Sequence, residues 1–237
     1  MEWKIIIAFL FAIILVSGVS GCTSSETSES GTTGGSEENA LSPAPKDTTS
    51  GTNPSFSSLV SMSPLTAYSV TYDVTTNYGG ETQSSTIKQV ISGTKMKYDI
   101  TTENSPVRAI TIMTDEKYYV CSLGAGQDMC FEMETDSSEP TTADQASDTA
   151  KEFENTPDIT YDGTKILAGV TTYCYKTTSD GADYKFCMHK DNGMVLGMYT
   201  TSSGTTTEME ATAFSTATPS ASEFALPAPV QTMPSYD

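Results

Sequence analysis

Five cysteines and one histidine hold the most reactive side chains of this 237-residue chain, and their spacing decides what chemistry is open to them. Cys22 stands far upstream of the rest. Cys121, Cys130, Cys174 and Cys187 then form an even set, which in an oxidising compartment is a disulfide set. Three connectivities are open to four thiols. Cys121 and Cys130 flank Gly124-Ala125-Gly126-Gln127, and Cys174 and Cys187 flank Ser179-Asp180-Gly181-Ala182, two glycine-bearing turn signals between β-rich runs. If each is a hairpin with a four-residue loop, Leu123 pairs with Asp128 and Thr178 with Asp183. Counting outward in that register sets Cys121 opposite Cys130 and Cys174 opposite Cys187. Cross-strand Cα separations of about 4.5 to 5.5 Å suit a disulfide.

Other chemistries find less support. A metal site from Cys174, Cys187 and His189 would have no Cys-x-x-Cys pair and no second histidine, so no metal is assigned. Met96, Met129, Met133, Met188, Met194 and Met198 carry thioethers that suit Cu(I). Their period-2 placement among aromatics reads instead as an adaptable apolar lining. No Gly-x-Ser-x-Gly, His-Glu-x-x-His or P-loop spacing is present, and His189 has no nucleophile placed beside it in the pattern. The chain therefore reads as non-enzymatic, with no cofactor.

The elements that position these residues are strands. Tyr68, Val70, Tyr72 and Val74 alternate with Ser69, Thr71, Asp73 and Thr75, and Met96, Tyr98 and Ile100 alternate with Lys95, Lys97 and Asp99. The same period runs through Val107 to Met113, Tyr118 and Val120, then Met129, Phe131 and Met133. It returns at Tyr173 and Tyr175, at Tyr184, Phe186 and Met188, and at Met194, Leu196 and Met198. Turns such as Ser92-Gly93 and Asp191-Asn192-Gly193 separate the runs, which predicts about ten strands in an antiparallel meander. Each cysteine lies off the aromatic and Met face of its strand, as Cys174 does between Tyr173 and Tyr175 and Cys187 between Phe186 and Met188, so the bridges are expected on the polar face.

Two short helices are predicted. Thr142 and Gln145 have capping-box spacing before Ala143, Ala146, Ala150 and Phe153, giving a helix over 143–154. Asn53 as N-cap with Pro54 at the first helical position precedes Phe56, Leu59 and Val60. Two such helices are too small to cover one face of a ten-stranded sheet, so the sheet is expected to curl into a half-barrel. Its concave face would be lined by Tyr72, Tyr98, Tyr118, Phe131, Tyr173, Tyr175, Tyr184, Phe186, Met188, Met194, Leu196 and Met198.

The chain start adds an address. Lys4 precedes an unbroken apolar run, Ile5 to Val16, of 12 residues, and then a more polar stretch to Gly21. A membrane-spanning helix needs about 20 apolar residues, so this run reads as the core of an export signal over 1–21. Val19-Ser20-Gly21-Cys22 resembles the lipobox of bacterial and archaeal lipoproteins. On that resemblance the Cys22 thiol takes a lipid, and the mature chain begins there on the outer face of the cell membrane. Residues 22–53, rich in Ser, Thr, Gly and Glu, form a disordered tether, since Leu41 is the only large apolar side chain after Cys22. The folded domain is placed at 54–218 and a Pro-rich tail at 219–237. Thirty acidic against 12 basic residues give a formal net charge of −18, which excludes nucleic acid and anionic headgroups as partners because both need a basic footprint.

The layout, together with Ser92-Gly93-Thr94-Lys95, Asp191-Asn192-Gly193-Met194-Val195-Leu196 and the closing Phe224-Ala225-Leu226-Pro227, resembles the lipoprotein-carrier and outer-membrane lipoprotein-sorting superfamily over roughly 54–227. The resemblance implies a non-catalytic half-barrel that holds acyl chains or another hydrophobic ligand on its concave face. The tether and the bridges depart from the carrier pattern and favour a ligand-holding role at one membrane. The alternative is a surface interaction module with a filled core and no ligand.

Overall fold

In a computed structural model, residues 53–231 are described apart from 116, 125, 134–144 and 157. The signal, Cys22, most of the tether and the capping-box residue Thr142 lie outside the described residues. Among the described residues twelve strands form one mainly antiparallel sheet that does not close. They are β1 (Ala67–Tyr78), β2 (Glu81–Ser92), β3 (Lys95–Thr102), β4 (Val107–Met113), β5 (Tyr118–Gly124) and β6 (Met129–Met133), then β7 (Thr160–Leu167), β8 (Val170–Ser179), β9 (Ala182–His189), β10 (Val195–Ser202), β11 (Thr205–Ser215) and β12 (Val230–Gln231). Two helices accompany them, α1 (Phe56–Val60) and α2 (Gln145–Glu152). The architecture is a mainly β half-barrel.

The sheet is two meanders rather than one. Its order is β12-β6-β5-β4-β3-β2-β1-β11-β10-β9-β8-β7, so β1 pairs with β11 and the chain crosses from β6 at one side to β7 at the other. β12 lies parallel to β6, with Val230 opposite Cys130. The strand count exceeds the ten expected because β2, β7 and β11 alternate in Thr, Ser, Asp and Glu rather than in large apolar residues.

Both disulfides join the residues that the hairpin register sets opposite each other, Cys121 to Cys130 and Cys174 to Cys187. The β8–β9 loop is tighter than four residues. Ser179 already pairs with Ala182, leaving Asp180 and Gly181, both at positive φ, as a two-residue turn whose twist matches the strands. The register is unchanged by this tightening. The expected polar setting of the bridges is overturned: all four cysteines are at most 1% exposed. Cys121–Cys130 packs with Val90, Ile110, Ile112 and Phe224, and Cys174–Cys187 packs among Leu167, Met194 and Leu196.

Phe224 explains the first of these. It ends a short 3-10 turn, Ala221–Phe224, and the chain then runs to Pro229, whose carbonyl accepts a 3.0 Å hydrogen bond from the Cys130 amide. The segment read from the sequence as a tail therefore covers the cysteine-bearing face of the first meander. Helix α1 also differs from the expectation. Ser55, not Asn53, is its N-cap, with the side chain accepting from the Ser58 amide at 3.2 Å, so Pro54 lies ahead of the helix.

Candidate functional site

Paired residues of neighbouring strands point to the same face, so register converts the alternating pattern into rows across the sheet. One row on the aromatic face runs Tyr68, Ile91, Met96, Met113, Tyr118 and Met133. The next is Val70, Gln89, Tyr98, Thr111, Val120 and Phe131, and a third is Tyr72, Ile87, Ile100, Ala109, Ser122 and Met129. Across the other meander, Val74 continues through Met209, Met198, Phe186 and Tyr175 to Tyr161.

Burial divides this single face into two parts. Under the helices it is closed. Tyr175, Tyr184, Phe186 and Met188 form a core with Phe56, Leu59 and Val60 around α1 and with Ala150 and Phe153 from α2 and the turn after it. Phe186 is 0% exposed, its ring 5.8 Å from Phe56 and 5.4 Å from Phe153. The Tyr175 hydroxyl donates to the Pro54 carbonyl, and burial pushes its pKa up to about 12. These four side chains, expected to line a ligand face, instead hold the helices down. Tyr173 and Met198 pack against the edge of that core.

Three more expected lining residues are also internal. Tyr72 is buried, and its hydroxyl donates to the Val195 carbonyl at 2.8 Å. A bulge between Val195 and Gly197 shifts the alternation, so Met198 keeps the aromatic face while Leu196 packs with Leu167 and Cys187. Met194 precedes β10 and is buried in the same cluster.

Toward β6 the face opens. Tyr68, Val70, Tyr72, Gln89, Ile91 and Met96 are buried, whereas Tyr98, Ile100, Met113, Tyr118, Val120 and Phe131 are all half-buried. Gln89 donates to the Tyr98 hydroxyl at 3.1 Å, fixing that ring's polar end at the boundary. Of the twelve residues predicted to line the face, Tyr98, Tyr118 and Phe131 are the ones this half-open region brings together. Ile100, Met113 and Val120 complete it, and their period-2 spacing was visible in the sequence.

The cysteine-bearing face carries the charge. Lys165 on β7 reaches Glu210 on β11 at 2.5 Å and the Tyr199 hydroxyl at 2.8 Å, and Asp162 bridges Lys176 and Lys185 at 2.8 and 2.9 Å. Burial, reinforced by its hydrogen bond to Glu210, pushes the Tyr199 pKa to about 12. An open depression of about 590 Å³ beside this network is lined by Lys176, Thr178, Asp183, Lys185, Tyr199 and Thr201, among others. The Lys165–Glu210 pair joins strands 45 residues apart in sequence, which single-strand patterning could not find. His189 lies at the same level, its ring 5.5 Å from Phe214 and its Nδ1 accepting from the Asp191 amide at 3.2 Å. Among the described residues no three His, Cys, Asp or Glu side chains gather as a metal site.

No family model and no curated protein matches the chain. Solved structures do. The LolA superfamily protein of Nitrosomonas europaea is 10% identical, with 71% of this chain and 94% of that chain covered and a TM-score of 0.34. The chain is similar to LolA-superfamily structures. LprF from Mycobacterium bovis is also 10% identical, with 70% and 90% covered and a TM-score of 0.43. A chain of the Pseudomonas aeruginosa MucA/MucB complex is 14% identical, with 67% of this chain covered and a TM-score of 0.44. This chain spans 55% of the length of that one.

Proposed function

We propose that this chain is an extracytoplasmic lipoprotein, held by lipid on Cys22 to the outer face of the cell membrane, whose aromatic face binds a lipid or another hydrophobic ligand without catalysis. One observation carries the reading: from β3 to β6 the aromatic face presents Tyr98, Ile100, Met113, Tyr118, Val120 and Phe131 half-buried, while the same face under α1 and α2 is closed. Large apolar side chains grouped on one face and left partly open to solvent have the composition of a hydrophobic binding surface. Methionines at Met113, Met129 and Met133 give that surface an adaptable lining.

The address rests on the sequence. The short apolar run, the lipobox-like Val19-Ser20-Gly21-Cys22 and two buried disulfides all suit an exported, oxidised protein. The two bridges take the other four cysteines of the chain, the pattern expected if Cys22 is the residue that carries the lipid. A two-chain lipid there would anchor the protein stably. The test is native mass spectrometry of the full chain extracted from its membrane in mild detergent. A co-purifying apolar adduct that is lost in Phe131→Asp supports the reading. A mass equal to that of the lipidated chain alone, with no adduct, sinks it.

A further inference from the structure

On the reading that the aromatic face holds a hydrophobic ligand, we infer that its ligand is an uncharged amphiphile, bound by apolar chain and neutral oxygens, and that chains ending in a carboxylate are refused. The observation is how the strands segregate charge. Across the three rows from β1 to β6 no Asp, Glu, Lys, Arg or His occupies any position of the aromatic face. Asp73, Lys88, Lys97, Asp99, Arg108 and Glu132, on those same strands, all stand in the opposite phase. On β2 the first ionised residue in phase with the aromatic face is Glu81, at the end of the β1–β2 hairpin.

The polar groups this face does hold are neutral. Gln89, Tyr98, Thr111 and Ser122 lie within the rows, and further along the strands Gln83, Thr76, Thr207 and Thr200 form one half-buried row, with Thr76 and Thr207 Oγ1 atoms 3.4 Å apart. Such groups exchange hydrogen bonds with an alcohol, ester or amide. None of them can neutralise an ion. A carboxylate drawn onto a face of half-buried Met, Ile, Val and Phe would lose water without gaining a counter-charge, which is the costly case. Arg108 and Lys88 are ion-paired on the other side of the sheet, to Asp99 and Glu223, and Lys97 stands in that same opposite phase.

The test offers the full chain, in a non-ionic detergent, equimolar oleate and monooleoylglycerol, which share one acyl chain and differ in the head. Adducts are then counted by native mass spectrometry at about pH 8, where oleate is ionised. Monooleoylglycerol adducts exceeding oleate adducts by about tenfold or more, the ratio equivalent to one pKa unit, are expected. Thr111→Lys places a cation in the middle row and is expected to bring the two ligands to parity or reverse them. Oleate binding as well as monooleoylglycerol to the unaltered chain overturns this inference and leaves the hydrophobic face standing. Adducts of neither ligand overturn both.

Discussion

Phe186 and Phe131 occupy the same face of the sheet, and truncating each to alanine separates its closed part from its open part. Phe186 is 0% exposed and touches Phe56, Phe153 and Tyr184, with ring centroids 5.8, 5.4 and 6.3 Å away. Removing a fully buried phenyl ring costs about 3–5 kcal/mol through lost transfer energy and the cavity left behind. In a domain of this size each kcal/mol lowers Tm by about 2–4 °C, so Phe186→Ala is expected to melt roughly 6–20 °C lower. Phe131, half-buried among Val120, Met129 and Met133, loses about half the contact area, and Phe131→Ala is expected to cost only about 1–2 kcal/mol. Urea unfolding followed by far-UV circular dichroism gives both values, with equal m-values showing that the comparison is sound. A Phe186→Ala change within 1 kcal/mol of the unaltered chain, or a Phe131→Ala change as large as Phe186→Ala, would refute the division of the face.

Other outcomes follow from particular contacts. Gly193 sits at φ +70°, where a Cβ would run into the Leu59 carbonyl at the end of α1, so Gly193→Ala is expected to cost about 2–4 kcal/mol in the same urea assay. Replacing Cys121 and Cys130 together by alanine is expected to cost about 2–4 kcal/mol, and because Phe224 covers that bridge, thiol trapping should find it intact in native protein held in reductant and open only after unfolding. Burial holds the His189 pKa below its usual value, with Lys190 acting in the same direction and Asp191 opposing. The unfolded chain then binds the proton more readily than the folded one, so stability is full above about pH 6.5 and falls as pH drops below it. His189→Gln should flatten that slope, and a midpoint that is independent of pH in the unaltered chain would contradict it.

Much of this architecture was legible in the alternation of the strands. Tyr68 to Val74 and Met96 to Ile100 read directly as half-buried strands, and loop length around Gly126 and Gly181 set the cysteine register even where the β8–β9 turn proved shorter. What the pattern could not give was partnership between distant segments. The pairing of β1 with β11 joins residues more than a hundred positions apart, and no local signal announces it. For the same reason the pattern placed the cysteines on the correct side of each strand but mistook that side for a polar surface, because its cover comes from Phe224 and from Leu167. The candidate site was over-drawn. Period-2 spacing shows that Phe186 and Phe131 share a face, but burial depends on where α1 and α2 come to rest, and that is decided by tertiary packing.

The central claim is that the aromatic face between β3 and β6 holds a hydrophobic ligand. A crystal structure of the protein isolated from its own membrane, without a ligand-stripping step, tests it most directly. Elongated density along Tyr98, Thr111, Val120 and Phe131, in contact with Met113 and Tyr118, is expected. A face closed over those residues by the protein's own side chains, with no such density, would contradict it.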